Sequence, residues 1–84
     1  MRFIDEKAIK AQKNNGILDE FISEYEHFIL SCAAKTSGHY VDTSDDEWSV
    51  ALIAFYAAVQ TYEFDRGSFL AYAKMLIRSR LIAR

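Results

Sequence analysis

The sequence predicts an all-α fold, a compact bundle of about four helices. Three observations predict it. Proline is absent and only three glycines occur in 84 residues, so few points break a helix or mark a hairpin. Apolar residues recur three and four apart over long stretches, the period of one helix face. Short polar clusters with capping character separate those stretches. A chain of this length forms one domain, and 51% apolar residues suffice for a modest core.

The first helix is expected from Ile4 to Asn14, with Asn14-Asn15-Gly16 as its stop. The second runs from Ile17 to Lys35. Its Leu18, Phe21, Ile22, Tyr25, Phe28, Ile29 and Cys32 lie on one face, and Thr36-Ser37-Gly38 ends it. Tyr40 and Val41, in the polar loop that follows, are expected against the core. Ser44-Asp45-Asp46-Glu47 fits a capping box for the third helix, which should reach Tyr62. Residues 63–67 form a tight connection, and Ser68 caps a fourth helix from Phe69 to the chain end.

Composition narrows the function classes. Cys32 is the single cysteine, so no internal disulfide forms, and a small buried thiol in a reducing compartment is expected. No run is long and apolar enough to span a membrane and no signal peptide opens the chain, so the default is a cytoplasmic protein without membrane insertion. His27 and His39 have no partners at metal-ligand spacing, and the acids around Asp42 lack the glycine and terminal glutamate of a calcium loop. With no phosphate loop, nucleophile elbow or Cys/His pair, neither an enzyme nor a cofactor or metal site is expected.

The net charge of −2 is unevenly distributed. Residues 1–65 carry all twelve acids and a net charge of −7, whereas residues 66–84 carry five cations and no acid. Cations favour a helix C-terminus, which accounts for Arg80 and Arg84 but not for the lack of any acid over residues 66–84. Two different partners are one explanation of the asymmetry.

Two helices each carry two faces. On the third, Trp48, Leu52, Phe55, Val59 and Tyr62 form a stripe at about 100° per residue, the expected core face. Asp46, Ser49, Val50, Ile53, Tyr56, Ala57 and Gln60 form another, where a surface helix would place Lys and Glu. That stripe is either a partner face or a second buried face of a central helix. On the fourth helix, Phe69, Ala73, Leu76, Ile77 and Leu81 suit a core stripe. Tyr72, Met75, Ser79 and Ile82 lie beside it, framed by Lys74, Arg78, Arg80 and Arg84. Such a strip suits single-stranded nucleic acid, with a base on the ring and phosphates on the cations, or is simply a basic solvated edge.

The segment from Asp46 to Ala73 resembles region 2 of the sigma-70 family. That pattern is an acid-led helix with small residues in register, an Ala-Val pair, an aromatic, a short acidic turn, Arg/Lys-Gly, then Phe and Tyr-Ala before Ile-Arg. It matches Ala51, Ala54, Ala58-Val59, Tyr62, Arg66-Gly67, Phe69, Tyr72-Ala73 and Ile77-Arg78. Ala11-Gln12, Glu24-Tyr25, Phe28-Ile29-Leu30, Gly38-His39-Tyr40 and the run from Ser44 to Ser49 are similar to the sigma-I group.

The resemblance implies a sigma region 2 domain of transcription initiation. The helix over residues 46–62 would dock on the β′ clamp coiled coil of core RNA polymerase, with Asp46, Ser49, Val50, Leu52, Ile53 and Tyr56 at or beside the contact. The helix from Phe69 would read and help melt the non-template strand of the promoter minus-ten element through Phe69, Tyr72, Lys74, Met75, Arg78 and Ser79. Met75 and Leu76 stand where housekeeping sigma factors carry two tryptophans, which implies a weaker melting wedge. The sigma-I resemblance also brings a membrane-anchored anti-sigma factor into view as a partner. Residues 1–84 would be the N-terminal part of a longer sigma factor. The alternative is a helical adaptor that binds protein and not DNA.

Overall fold

The computed structural model describes residues 3–63, 65 and 67–83. Among these it has five helices and no strand: α1 (Phe3–Ala11), α2 (Asn15–Glu24), α3 (Glu26–Ser37), α4 (Asp46–Thr61) and α5 (Phe69–Ala83). The expected all-α bundle is correct, with one more helix than the periodicity suggested.

The extra helix comes from a break at Tyr25, where φ is −107° and ψ is 15°. No proline or glycine causes it. The Tyr25 ring lies between Phe21 and Phe28, with centroid separations of 5.2 and 6.5 Å. Its backbone N–H is shared between the carbonyls of Phe21 and Ile22, which bridges the interruption. The apolar period runs through unbroken, so periodicity alone reads one helix.

Two terminus assignments need correction. Helix α1 stops at Ala11, and Asn14 starts the next helix instead of ending the first: its side-chain oxygen accepts from the Ile17 N–H at 3.1 Å. The capping box at Ser44 does not form. Asp42 accepts both the backbone N–H and the hydroxyl of Ser44, which turns the serine away from the helix. Asp45 takes the N-cap position, and its carboxylate accepts from the Asp42 N–H at 3.1 Å. Glu47 faces His39 across 3.1 Å. The other boundaries follow expectation. Gly38 closes α3 with φ 77°, a left-handed conformation that glycine adopts without penalty, and the Ser68 hydroxyl accepts from the Ala71 N–H at the start of α5.

The core is built on three phenylalanines from three helices. Phe21, Phe55 and Phe69 are fully buried, with centroids 5.2 to 5.7 Å apart and tilted or edge-on contacts. Helices α4 and α5 pack most extensively. Ala51, Ala54 and Ala58 are fully buried on α4, and Ala73 on α5. Side chains this small let the backbones approach closely, so the buried face of α4 centres on alanines and on Phe55 and Val59, while Trp48 and Leu52 lie half-buried at its edge. Val41 is buried as expected, but Tyr40 is 82% exposed and does not pack on the core.

Helix α1 ties the junction of α4 and α5. The Asp5 carboxylate, buried, accepts from the Phe69 N–H at 2.9 Å and so caps α5 from 64 residues away. The Gln12 amide donates to the Tyr62 carbonyl at the end of α4 at 2.7 Å. The Tyr62 hydroxyl donates to the Gly67 carbonyl. Burial, and then the Asp5 carboxylate beside it, push that phenol above its ordinary pKa. The direction in which α5 leaves α4 is therefore held by polar contacts inside the core.

Candidate functional site

Helix α4 reaches the surface on the side away from its alanine face. Ile53 is 59% and Tyr56 47% exposed, an apolar pair on an otherwise core-forming helix. Asp46, Ser49 and Gln60 are exposed on the same helix, and Ala57 is half-buried. Val50, expected as part of the open patch, is half-buried and packed against the core, as is Leu52. The open apolar surface is narrower than the sequence stripe and rests on Ile53 and Tyr56.

Helix α5 presents the second surface. Phe69, Ala73, Ile77 and Leu81 are buried and Leu76 is half-buried, as expected of its core stripe. That placement corrects the expectation that Phe69 touches DNA: its ring is fully buried among Phe21, Phe55 and Tyr62 and offers no face to a base. Lys74, Met75, Arg78, Ser79 and Arg80 are exposed, with Met75 at 55% and Ile82 at 67%. Tyr72 is half-buried. Its ring contacts Tyr62 at 5.8 Å, and its hydroxyl shares a 2.7 Å hydrogen bond with the Thr61 hydroxyl. This tether holds the Tyr72 ring at the rim of a concavity that Met75, Ala71, Glu63 and Asp65 also line. A neighbouring concavity is lined by Lys74, Met75, Arg78 and Ser79. Four of the six expected DNA residues thus line one continuous strip beside Tyr72. Arg66 and Arg84, also among the cations of that region, lie outside the described residues.

The electrostatics divide the two surfaces. Among the described residues Lys7 pairs with Glu24 at 2.6 Å and His39 approaches Glu47 at 3.1 Å, while Lys74, Arg78 and Arg80 pair with no acid. Burial pushes the Cys32 thiol above its ordinary pKa, against the opposing pull of Lys74 and Lys35. Among the described residues no three His, Cys, Asp or Glu side chains converge as a metal site requires. No helix of the described residues is long and apolar enough to cross a membrane.

An apolar pair on one helix and a cationic strip with a rim tyrosine on the next give this helical domain two surfaces of different chemistry. Over most of its length the sequence is similar to RNA polymerase sigma factors of the SigI group. The chain is 41% identical to RNA polymerase sigma factor SigI1 of Acetivibrio thermocellus over 71 residues, 82% of this chain and 28% of the relative. It is 37% identical to SigI7 of the same organism, over 90% of this chain and 33% of the relative. Against SigI of Bacillus subtilis it is 39% identical over 92% of this chain and 32% of that protein. The chain therefore spans about a third of the length of these curated relatives. No family model matches it.

Proposed function

We propose that this chain acts as the region 2 segment of a SigI-type sigma factor in transcription initiation. In this reading the Ile53 and Tyr56 face of α4, flanked by Asp46 and Ser49, docks on the β′ clamp coiled coil of core RNA polymerase. The α5 strip then takes the non-template strand of the promoter minus-ten element, with a base against Tyr72 and Met75 and phosphates on Lys74 and Arg78. The observation that carries the reading is the open Ile53–Tyr56 pair on a helix whose other face is core, in a chain matched to SigI sigma factors. Desolvating such a pair against a partner is favourable, whereas leaving it in water serves no packing purpose. The unpaired cations of α5 favour this reading over an adaptor that binds protein alone, because a purely apolar contact has no use for them.

Ile53→Arg tests it in a pull-down with purified core polymerase. A charge at the centre of a desolvated contact costs several kcal/mol, about 2 or more, and should abolish capture. On an exposed face the same change alters folding stability by about 0.5 kcal/mol or less, so the helical signal and melting midpoint should remain. Undiminished capture of the folded variant would remove α4 as the docking face.

A further inference from the structure

The flank of α5 that packs on α3 carries chemistry that the sequence pattern did not indicate. Lys35 and Thr36, in the last turn of α3, line one concavity with Lys74, Arg78 and Ile82 of α5. Three cations from two helices meet there, and no acid is among the lining residues. None of the three enters an ion pair among the described residues. Lys35 and Lys74 also both lie near enough to the Cys32 thiol to oppose the rise in its pKa that burial causes. The C-terminal end of α3 contributes a partial negative charge of about one half, too little to offset three cations.

The opposite flank has the reverse character. Glu63 and Asp65 border the concavity that holds Tyr72 and Met75. Across α5 the order is therefore acids, then the tyrosine and methionine, then Lys74 and Arg78, and finally Lys35. A nucleic-acid strand laid along α5 meets attraction for its phosphates at Lys74, Arg78 and Lys35. Its bases are neutral and find their ring on the Tyr72 side. The α3 side of the groove has cations and a hydroxyl but no aromatic side chain, so it suits backbone and not bases.

We propose that Lys35 and Thr36 of α3 complete, with Lys74 and Arg78 of α5, a cradle for the phosphodiester backbone of a single nucleic-acid strand whose bases turn toward Tyr72 and Met75. The cradle rests on the reading of α5 as a strand-binding helix and deepens it: α3 becomes part of the binding surface, and the strand acquires a defined orientation. The contact is independent of base sequence.

The test is fluorescence anisotropy with the 84-residue chain and a labelled mixed-sequence oligonucleotide, single-stranded in one arm and duplex in the other. Lys35→Ala is compared with Lys10→Ala, which removes the same charge from an exposed position on α1. Loss of one phosphate contact lowers the slope of log affinity against log salt by about 0.7 for a single strand, so between about 25 and about 150 mM salt the wild type should lose about 3.5-fold more affinity than Lys35→Ala. Lys10→Ala should keep the wild-type slope. An unchanged slope in Lys35→Ala, or a loss confined to duplex, overturns the cradle. Absence of strand binding by the wild type at low salt overturns it as well, while the docking of α4 is still judged by the Ile53→Arg pull-down. Lys35-dependent strand binding together with a normal Ile53→Arg pull-down would keep the cradle and remove the polymerase contact.

Discussion

Asp5→Ala should be among the most damaging polar substitutions in this chain, because one carboxylate holds the start of α5. Asp5 is buried, and its oxygen accepts from the Phe69 N–H at 2.9 Å. Phe69 is itself a central core residue, so the freed N–H cannot recover a water partner without opening the three-phenylalanine cluster. A hydrogen bond to a charged acceptor contributes about 1.5–3 kcal/mol, and an orphaned buried donor falls in the same range, so a loss of about 2 kcal/mol is expected. In a domain of this size each kcal/mol moves the melting midpoint by about 4–8 °C, which gives a fall of about 8–16 °C. Asp5→Asn keeps an oxygen acceptor without the charge and should lose about half as much. Thermal melting followed by circular dichroism measures both variants, and hydrogen exchange at the Phe69 amide reports the contact directly. A midpoint within about 2 °C of wild type, with that amide still protected, would show that Asp5 does not hold the start of α5, since it would correspond to less than about 0.5 kcal/mol.

Two further outcomes are expected. Cys32 is buried and its thiol is pushed up by that burial, so alkylation near neutral pH should be far slower in the folded chain than in denaturant, and equal rates would show that the thiol is open. The Asp42 carboxyl is held below its ordinary pKa by hydrogen bonds from the Ser44 hydroxyl and N–H, so Ser44→Ala should raise it, as followed by carboxyl NMR. A depressed folded pKa means stability that is complete above the unfolded pKa and lost as pH falls through the folded one. The variant should therefore show a weaker acid-induced loss than wild type, and an identical titration would discard the turn.

The helices and much of the core follow from the order of residues alone. Phe21, Phe55 and Phe69 stand at helical spacing among other apolar residues, and with no proline to interrupt them the apolar period can be satisfied only by helices packed on one another. The open face of α4 was legible too, because Ile53 and Tyr56 lie off the buried stripe in a short bundle. The tertiary structure decided what depends on residues far apart in the chain. Spacing put Phe69 on the core stripe of α5 and the family resemblance put it at the DNA, and its neighbours from α2 and α4 decide for the core. The break at Tyr25 leaves the apolar period untouched, so only its packing between Phe21 and Phe28 reveals it. Ser44 has the right spacing for a capping box, but Asp42 two residues earlier competes for its hydroxyl and wins. The cap that Asp5 places on α5, and the meeting of Lys35 with Lys74 and Arg78, span 64 and about forty residues of chain. Hydrogen bonds and charges act over a few ångströms of space, whereas helical periodicity registers only the nearest turns of the same helix.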